Sequence, residues 1–397
     1  MQGHIHKRVH SMADGRTTTT WYVIINLGRD ENGRRRQKWH GGFRTRKEAE
    51  AARAKLVNEV HTGIYAEPTK LTLEDWTVGS WLPTMKTQVK ATTWASYDRM
   101  LRLHVLPVLG DRPMHKLTST LLNSLYARLM EDGYKKESRG GGLHPKTVRH
   151  IHSTLHKVLG DAIDAGLLVT NPADRAKPPR PRSTAPTEMK FWDAEQLGQF
   201  LEHIAGDRLQ AAWHLLAMTG MRRGEALGLR WQDVDLDARR LAVRHTITAV
   251  GYEINESTPK NHQARTIDLD PSTVAQLRAH QDRQLKEKEA WGPGYQDSDL
   301  IFRREDGSPV HPQLFSQQFE REVRRAGLPQ IRLHDVRHTH ATIALRAGVP
   351  VKVISERLGH EDPAFTMKQY AHVIPGMQAE AAELIAALVA RSRPTTD

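Results

Sequence analysis

The sequence predicts a multidomain α+β protein, and three successive patterns along its 397 residues support this prediction. Residues 1–65 indicate a small β-sheet followed by a helix, and residues 66–175 indicate an all-α domain. Residues 191–397 indicate a mainly α domain with a small antiparallel sheet, and a basic, proline-rich linker at 176–190 precedes it. A chain of this length can hold two or three domains, each with its own core.

The first domain is predicted from β-rich runs separated by a turn signal. Ile5 to Val9 is a short first strand, and Trp21 to Leu27 is rich in β-branched and aromatic residues. Asp30-Glu31-Asn32-Gly33 marks a turn before a returning strand from Arg34 to Phe43. Thr45-Arg46-Lys47-Glu48 is a capping-box pattern that opens a helix ending at Gly63.

The second domain is predicted from apolar side chains at helical spacing. A first helix starts within Leu71 to Trp76, and apolar stripes indicate helices at Ala91–Val105, Leu117–Met130 and Lys146–Ala165. Asn171-Pro172 ends the helical run. Taken alone, these stripes indicate a helical bundle and no particular function.

The linker and the last domain follow. Ala176 to Glu188 contains four prolines in thirteen residues together with three basic side chains, which indicates a stiff, basic segment. Such a segment fits either two domains that close around a duplex or an ordinary solvated linker. In the last domain a helix starts at Asp193, and further elements are expected as helices at Leu209–Met218, Pro271–Glu289 and His311–Ala326 and as strands at Leu241–Val243, around Ile254 and at Thr266–Leu269.

Positive charge is concentrated ahead of the last domain. The net charge of +12 and the sequence pI of about 9.8 fit either a polyanionic partner or simply a basic enzyme. Residues 1–65 carry +7, residues 66–175 carry +4, residues 176–190 carry +3 and residues 191–397 carry −2. This distribution indicates DNA-holding modules in front of a near-neutral domain.

Composition excludes several classes of site. The chain has no cysteine, which excludes disulfides, cysteine zinc sites and thiol catalysis. No apolar run approaches the ~18 residues of a membrane span, and Met1 to His10 lacks the apolar core of a signal peptide, so a cytoplasmic location is expected. The 22 histidines show no H-E-x-x-H spacing or acidic cluster, so no metal site is expected.

A first candidate for phosphate chemistry lies where one apolar helix ends and another begins. In Thr219-Gly220-Met221-Arg222-Arg223-Gly224-Glu225, the glycine at 220 permits a sharp turn. Arg222 then projects from the N-terminal end of the next helix, a favourable place for phosphate. Glu225 lies three residues on, where it can support the arginine. A surface helix with an ion pair is the alternative interpretation.

Further basic groups come from His334-Asp335-Val336-Arg337. Residues three apart share a helical face, so His334 and Arg337 can reach one phosphate together. His338 and His340 are assigned to other faces of this helix and interpreted as structural support. Upstream, Thr258-Pro259-Lys260 and the residues that follow it up to Ile267 indicate a mobile hairpin that carries Lys260.

A histidine and a tyrosine follow near the C-terminus. Leu358-Gly359-His360 ends a helix with a glycine and presents His360, and Tyr370 comes ten residues later. Tyrosine is a weak nucleophile at neutral pH because its ordinary pKa is about 10. Clustered cations favour the phenolate, and His360 or His334 can take the proton.

Together these residues resemble the catalytic signature of the tyrosine recombinases, the phage integrase family. The resemblance covers nearly the whole chain, and its most specific part is the ordered set Arg222, Lys260, His334, Arg337, His360 and Tyr370. It implies that the two arginines hold the phosphate, Lys260 protonates the leaving 5′ oxygen and Tyr370 is the nucleophile. It further implies that His334 donates or relays a proton and that His360 hydrogen-bonds the phosphate.

The resemblance also implies the partners and the reaction. Residues 1–65 are similar to an arm-type DNA-binding domain, and residues 66–175 are similar to a core-binding domain. The expected partners are double-stranded DNA with core and arm-type sites, three further protomers in a tetramer on DNA, and an accessory DNA-bending or directionality factor. A 3′-phosphotyrosyl intermediate keeps the bond energy, so no cofactor or metal is expected. The basic residues expected to contact DNA are Arg34, Arg35, Arg36, Lys38, Lys146, Arg149, Arg180 and Arg182.

Three alternatives remain open at this point. A type IB topoisomerase shares similar chemistry but needs no partner duplex. A chromosome or plasmid resolvase shares the catalytic domain and usually lacks the arm-binding domain. A non-catalytic DNA-binding regulator would use Val351 to Tyr370 as a helix-turn-helix, with the tyrosine in its core.

An apolar stripe follows the tyrosine. Its members recur at helical spacing and predict a C-terminal tail helix: Met377, Ala381, Leu384, Ile385 and Leu388. The helix either packs on its own domain or, as the resemblance implies, docks into a neighbouring protomer.

Overall fold

The chain divides into two compact units, Met1–Arg182 and Ser183–Asp397. The computed structural model describes residues 3–11, 17–29, 33–61, 70–132, 141–180, 189–258, 264–360 and 362–370, with a few positions between 382 and 389. The division falls inside the basic linker predicted at 176–190. The finer division of the first unit at residue 65 remains a prediction.

A three-stranded antiparallel sheet opens the first unit. Its strands are β1 (Gly3–Ser11), β2 (Thr17–Arg29) and β3 (Arg35–Phe43), with β2 in the centre. Helix α1 (Arg46–His61) begins after Thr45, whose hydroxyl accepts a hydrogen bond from the backbone N–H of Glu48 at 3.2 Å. The helix covers one face of the sheet with a small apolar core: Ile5, Trp21, Val23, Ile25, Phe43, Ala49, Ala52, Leu56, Val57 and Val60.

Strand register gives this sheet two different faces. Ile25 pairs with Lys38. Paired residues of antiparallel strands point to the same side, so Lys38 lies on the side that α1 covers. Trp39 pairs with Ile24 and therefore points to the opposite side, and Arg35 shares that side because it lies four residues earlier in the strand.

The opposite side carries an aromatic cluster. Trp39 is 51% exposed, and its ring makes edge-to-face contacts with Tyr22 and His6, at centroid distances of 6.0 Å and 5.2 Å. This face therefore combines exposed aromatic and basic side chains.

The remainder of the first unit is helical. Its helices are α2 (Leu73–Trp76), α3 (Leu82–Gln88), α4 (Ala91–Met100), α5 (Leu106–Leu109), α6 (Ser119–Asp132) and α7 (Pro145–Asp164). The helix α7 is central, since seven of its residues are buried. Tryptophans fix it to the N-terminal helices: Trp81 donates to the carboxylate of Asp161 at 2.7 Å, and Trp76 donates to the carbonyl of Val158 at 3.2 Å.

The helix predicted at 91–105 is not a single α-helix. Residues Leu101–Val105 form a π-helical turn between α4 and α5, and the backbone N–H of Leu106 donates to the carbonyl of Leu101. Pro107 has no N–H and cannot continue the regular α-helical bonding at this point. The predicted element is therefore present but is divided by its proline.

The second unit is mainly helical with two small antiparallel sheets. Its helices are α8 (Ala194–His203), α9 (Gln210–Thr219), α10 (Arg223–Leu227), α11 (Pro271–Trp291), α12 (Pro312–Arg325), α13 (Leu333–Arg346), α14 (Val351–Leu358) and α15 (Pro363–Tyr370). Its strands are β4 (Val234–Asp235), β5 (Arg240–Val243), β6 (Thr246–Val250), β7 (Glu253–Ser257) and β8 (Arg265–Asp268). Aromatic rings hold α8, α9 and α12 together, with Trp213 stacked on Phe315 at 4.2 Å and Trp192 against Phe200 at 5.2 Å.

The two described strands that flank the expected Lys260 hairpin each pair with a different strand. In the described residues, β7 pairs with β6, whereas β8 pairs with β5. Lys260 itself lies in residues 259–263, which are outside the described part of the chain. The sequence did not predict these strand pairs. The strand β7 follows β6 after a tight turn at Gly251 and pairs with it, which leaves β8 to pair with β5.

No helix in the described part of the chain is long and apolar enough to cross a membrane.

Candidate active site

The turn after α9 places Arg222 at the start of α10. Gly220 ends α9 with a φ of +63°, a left-handed conformation that favours glycine. A Cβ atom at this position would lie 2.6 Å from Leu358 and 2.8 Å from His340. Arg222 follows in an extended conformation, and its Nη2 donates to the carbonyl of Gly359 at 3.2 Å. The turn thus brings the T-G-x-R segment against the L-G-H segment.

Glu225 lies between two arginines. It accepts hydrogen bonds from Nη1 of Arg222 at 2.8 Å and from the Arg222 backbone N–H at 2.9 Å. Arg265 donates to the same carboxylate through Nη1 at 3.1 Å and Nη2 at 2.6 Å, and its Nε donates to the carbonyl of Arg357 at 3.0 Å. Burial alone would raise the pKa of Glu225, but Arg265 and then Arg222 lower it to about 2. The ionised carboxylate therefore fixes both guanidinium groups.

Arg337 is the most buried cation of the cluster. It is 4% exposed, and its Nη1 donates to the carbonyl of Gly220 at 2.9 Å. Burial, followed by the charge of Arg222, lowers the pKa of Arg337 to about 9, which leaves it charged at neutral pH. In the described part of the chain its Nη2 has no hydrogen-bond partner. The guanidinium thus keeps a donor that a phosphate oxygen can satisfy.

His334 lies one turn before Arg337 on α13. This helix begins after Arg332, which makes a capping box with Asp335. Desolvation by the surrounding protein, followed by the charge of Arg337, lowers the pKa of His334. His334 therefore lies close enough to Arg337 for the guanidinium charge to lower the histidine pKa.

His360 follows the left-handed glycine that ends α14. Gly359 has a φ of +69°, and a Cβ on it would lie within 2.9–3.0 Å of the Arg265 guanidinium. The Nδ1 atom of His360 lies 2.6 Å from the hydroxyl of Thr366. Burial, then the charges of Arg337 and Arg222, lower the pKa of His360 to about 4. The imidazole is therefore neutral at neutral pH.

Tyr370 ends α15 and is 1% exposed. It belongs to one buried apolar cluster with Ala341, Leu345, Ile354 and Leu358. Burial raises the pKa of Tyr370 to about 12, although the charge of Arg337 acts in the opposite direction. Arg337 thus favours the phenolate, as expected for a nearby cation, but desolvation outweighs this charge and the net pKa shift is upward.

Comparisons with known proteins bear on the whole chain. The phage integrase family model matches residues 189–376, an arm DNA-binding domain model matches residues 13–60, and a phage integrase N-terminal SAM-like domain model matches residues 72–130. A tyrosine recombinase XerC-like protein of Caldanaerobacter subterraneus is 30% identical over 381 residues, which cover 91% of this chain and 95% of the relative. The chain belongs to the tyrosine recombinase, or phage integrase, family. It is accordingly a tyrosine-type site-specific DNA recombinase.

Other relatives and solved structures agree with this membership. The ICEBs1 integrase of Bacillus subtilis is 26% identical, over 91% of this chain and 96% of its own. The Tn1549 transposon integrase, in complex with a circular intermediate DNA, has a TM-score of 0.63 at 21% identity, covering 79% of this chain and 99% of that one. A lambda integrase dimer bound to a core site has a TM-score of 0.54 at 18% identity, covering 91% and 93%. These similarities confirm the predicted multidomain α+β fold class.

His338 has a position in this recombinase that the sequence analysis assigned wrongly. Its Nδ1 lies 2.8 Å from the Tyr370 hydroxyl, and its ring contacts that of His334 at 5.3 Å. Residues four apart lie on the same side of a helix, so the i, i+4 spacing of His334 and His338 could have indicated this. His340 instead hydrogen-bonds the carbonyl of Ala217 at 2.9 Å and joins α13 to α9.

Arg265 is a second functional candidate that sequence reasoning missed. A single arginine at the start of a short strand carries no pattern of its own. Its contribution becomes visible only when β8 pairs with β5 and brings the side chain to Glu225.

Lys260 lies outside the described residues. The described strands on either side of it end at Ser257 and begin at Arg265. Its role as the acid for the leaving oxygen therefore remains a prediction.

The basic residues expected to contact DNA lie in three places in the first unit. At β3, Arg35 shares the open face of the sheet with Trp39, whereas Arg36 and Lys38 alternate to the side of α1, and Arg34 precedes the strand. In the helical part, Lys146 and Arg149 are exposed on α7, one turn apart. Arg180 is exposed after the last helical turn, and Arg182 lies outside the described residues.

The predicted tail helix lies largely outside the described residues. The few positions described between 382 and 389 are helical, and Ile385 is 63% exposed.

Proposed function

We propose that this recombinase integrates or excises a mobile element by cutting and rejoining DNA through Tyr370. The observation that supports this most directly is an excess of positive charge at the site, with Arg337 buried. Among the described residues, the guanidinium groups of Arg222 and Arg265 both pair with the carboxylate of Glu225, and that of Arg337 makes no ion pair. A phosphodiester bound there would compensate the excess charge and accept a hydrogen bond from the free Nη2 of Arg337.

The reaction follows from the groups around this charge. The Tyr370 oxygen gives its proton to a nearby histidine and attacks the scissile phosphorus, an O–P bond forms, and the bond to the 5′ oxygen breaks. Arg222 and Arg337 stabilise the negative charge on the non-bridging oxygens, with His360 as a further donor. Lys260 gives its proton to the leaving 5′ oxygen, which is otherwise a poor leaving group. The product is a 3′-phosphotyrosyl link with a free 5′-hydroxyl.

Rejoining reverses these steps with a different hydroxyl. The 5′-hydroxyl of a partner duplex attacks the phosphotyrosine and releases Tyr370. Because the bond energy stays in the protein–DNA link, the cycle consumes no nucleotide. His334, beside Arg337 on α13, donates or relays a proton at the phosphate.

The assembly is proposed by analogy with relatives whose solved complexes contain DNA. One lambda integrase structure is a tetramer bound to a Holliday junction. We infer that four protomers of this recombinase hold a four-way junction. We also infer that residues 1–65, called here the sheet-and-helix domain, bind arm-type sites outside the core site. An accessory DNA-bending or directionality factor belongs to the same proposal.

Trapping of the covalent adduct tests the proposed chemistry. End-labelled DNA carrying the element's junction is incubated with protein, and covalent complexes are separated under denaturing conditions. Tyr370→Phe removes one oxygen and should abolish the adduct while DNA binding persists. Tyr252→Phe is the matched control, since Tyr252 is 99% exposed. An adduct with Tyr370→Phe would show that another residue is the nucleophile, and sequencing of the trapped DNA identifies the site.

A non-catalytic regulator is the second candidate, because Tyr370 is buried as a core residue of a helix-turn-helix would be. Site-specific binding without any adduct from the unmodified protein would favour this candidate. Adduct formation followed by relaxation of supercoils without a partner duplex would instead favour a topoisomerase.

A further inference from the structure

The hydroxyl of Tyr370 is held by a histidine outside the six signature residues. His338 Nδ1 lies 2.8 Å from the Tyr370 oxygen, and the two rings are tilted by 59° at a centroid distance of 5.7 Å. Tyr370 is 1% exposed, so the pair is enclosed. In the described part of the chain, no other histidine has a hydrogen bond to this hydroxyl.

The other two candidate bases are engaged elsewhere. His360 directs Nδ1 to the Thr366 hydroxyl at 2.6 Å. His334 lies one helical turn before His338 and makes an edge-to-face contact with its ring. Neither contact includes the tyrosine oxygen.

Charge decides which partner carries the proton. Burial, then the charge of His334, lower the pKa of His338 to about 4, so its ring is neutral at neutral pH. Burial raises the pKa of Tyr370 to about 12, so the phenol keeps its proton. Tyr370 is therefore the donor, Nδ1 of His338 is the acceptor, and the ring hydrogen of His338 resides on Nε2.

We propose that His338 accepts the phenolic proton of Tyr370 during DNA cleavage, a step that rests on the proposed function. The O–H bond of Tyr370 breaks and an N–H bond forms at Nδ1 of His338, while the tyrosine oxygen bonds to phosphorus. The 5′ oxygen leaves with the proton of Lys260. In rejoining, His338 returns the proton to Tyr370, so no outside acid or base is consumed.

The imidazolium that forms has a counter-charge nearby. Asp335, which is 2% exposed and held ionised by Arg332, raises the proton affinity of His338. The charged and titratable groups that face His338 from α13, its N-terminal cap, α15 and the L-G-H turn are Arg332, His334, Asp335, Arg337, Tyr370 and His360. Binding of a phosphodiester adds negative charge to this group and favours protonation of His338 further.

Two substitutions separate proton transfer from positioning. His338→Gln can keep a hydrogen bond to the tyrosine but cannot take up a net proton, and His338→Ala removes both. Single-turnover cleavage of a nicked, irreversible substrate should slow by about 10²-fold or more in both variants. His340→Gln is the matched control on the same helix, and its cleavage rate should stay near that of the unmodified protein.

A more acidic nucleophile supplies the decisive readout. A fluorinated tyrosine at position 370 ionises more readily, so it should recover most of the lost rate in His338→Ala while adding little in the unmodified protein. Melting temperature and half-site DNA affinity are measured in parallel. His338→Gln serves as the test if His338→Ala does not fold.

Three outcomes would overturn the proposal. A normal rate with His338→Gln would show that only the hydrogen bond matters. A faster rate with His338→Ala would show that His338 restrains the tyrosine. A loss of rate that the fluorinated tyrosine does not reduce would show that His338 is not the proton acceptor. Failure of the proposed function looks different, because the unmodified protein would then form no adduct at all.

Discussion

Arg265 and Glu225 form a two-point ion pair, with Nη1–Oε1 at 3.1 Å and Nη2–Oε2 at 2.6 Å. Glu225 is 2% exposed, so its charge depends on this pair for compensation. The same carboxylate positions Arg222, and the same arginine bonds the end of α14 next to Gly359. One ion pair therefore connects three separate chain segments at the site.

Breaking this pair should cost both stability and cleavage. Arg265→Ala leaves a buried carboxylate with only Arg222 as partner and is expected to lower the free energy of unfolding by about 3 kcal/mol. Arg265→Lys keeps the charge but loses the two-point geometry, so it should fold better and still cleave slowly. Urea unfolding and single-turnover cleavage measure the two effects. Arg240→Ala, which opens the exposed Arg240–Asp268 pair in the same sheet, should change neither.

Glu225 also predicts a dependence of stability on pH. Its pKa falls from an ordinary 4.5 to about 2 on folding. A carboxyl with a lowered folded pKa stabilises the protein above the unfolded pKa and loses this contribution as pH falls toward the folded pKa. The contribution is on the order of 3 kcal/mol near neutrality and fades between about pH 5 and pH 2. The unfolding free energies of the unmodified protein and Glu225→Gln should therefore converge on acidification, and a constant gap between pH 6 and pH 3 would contradict this.

The leaving-group acid can be distinguished from the phosphate clamps. Replacement of the bridging 5′ oxygen by sulfur gives a leaving group that needs little protonation. Lys260→Ala should cleave ordinary DNA poorly and recover on the sulfur substrate. Arg222→Ala and Arg337→Ala should not recover, because their charge acts on the non-bridging oxygens. Equal recovery of all three variants would contradict this division of roles.

The sheet-and-helix domain should bind arm DNA independently of cleavage. A chain that begins at residue 67 should still cut the core site, but it should lose flanking-site affinity and show a weaker salt dependence. Within the domain, Arg35→Ala should weaken arm binding more than Lys38→Ala, because Arg35 shares the open face of the sheet with Trp39. Gel-shift titrations at several salt concentrations measure both effects. Similar losses from the two substitutions would exclude the open face as the reading surface.

The tail after Tyr370 should couple protomers on DNA. Removal of residues from Gly376 onward should leave a folded protein that fills one half-site but loses cooperative filling of the second. The described positions of this tail are helical, and the apolar side chain of Ile385 is exposed, as expected for a helix that packs against a second protomer. Half-site and full-site occupancy are compared in a gel-shift titration beside a melting curve. Unfolding on truncation, or full cooperativity without the tail, would rule out exchange between protomers.

Individual helices and strands could be predicted from the sequence, whereas the pairing between strands could not. Helix α7 and the strands of the first sheet were predictable because apolar periodicity and capping signals lie within each segment. The pairing of β5 with β8 was not, because it depends on contacts between segments about 20 residues apart. The π-helical turn before α5 was also missed, since the apolar stripe continues through it.

The candidate site divides in the same way. The six signature residues stand in short motifs, and the structure brings those it describes into one cluster. His338 and Arg265 stand in no such motif, and their contacts to Tyr370 and Glu225 arise only from packing of α13 on α15 and of β8 near α10. Burial of Tyr370, which outweighs the expected effect of Arg337 on the tyrosine pKa, is likewise a property of packing.

Gly220 and Gly359 lead to an expectation about the sequences of related proteins. A methyl group at Gly220 would collide with Leu358 and His340, and one at Gly359 would collide with the Arg265 guanidinium. Gly220 therefore leaves space for Leu358 and His340, Gly359 leaves space for Arg265, and both glycines also adopt left-handed backbones. A homologous chain that keeps every catalytic side chain but carries alanine at either position is expected to have lost DNA cleavage. Restoring the glycine should restore cleavage.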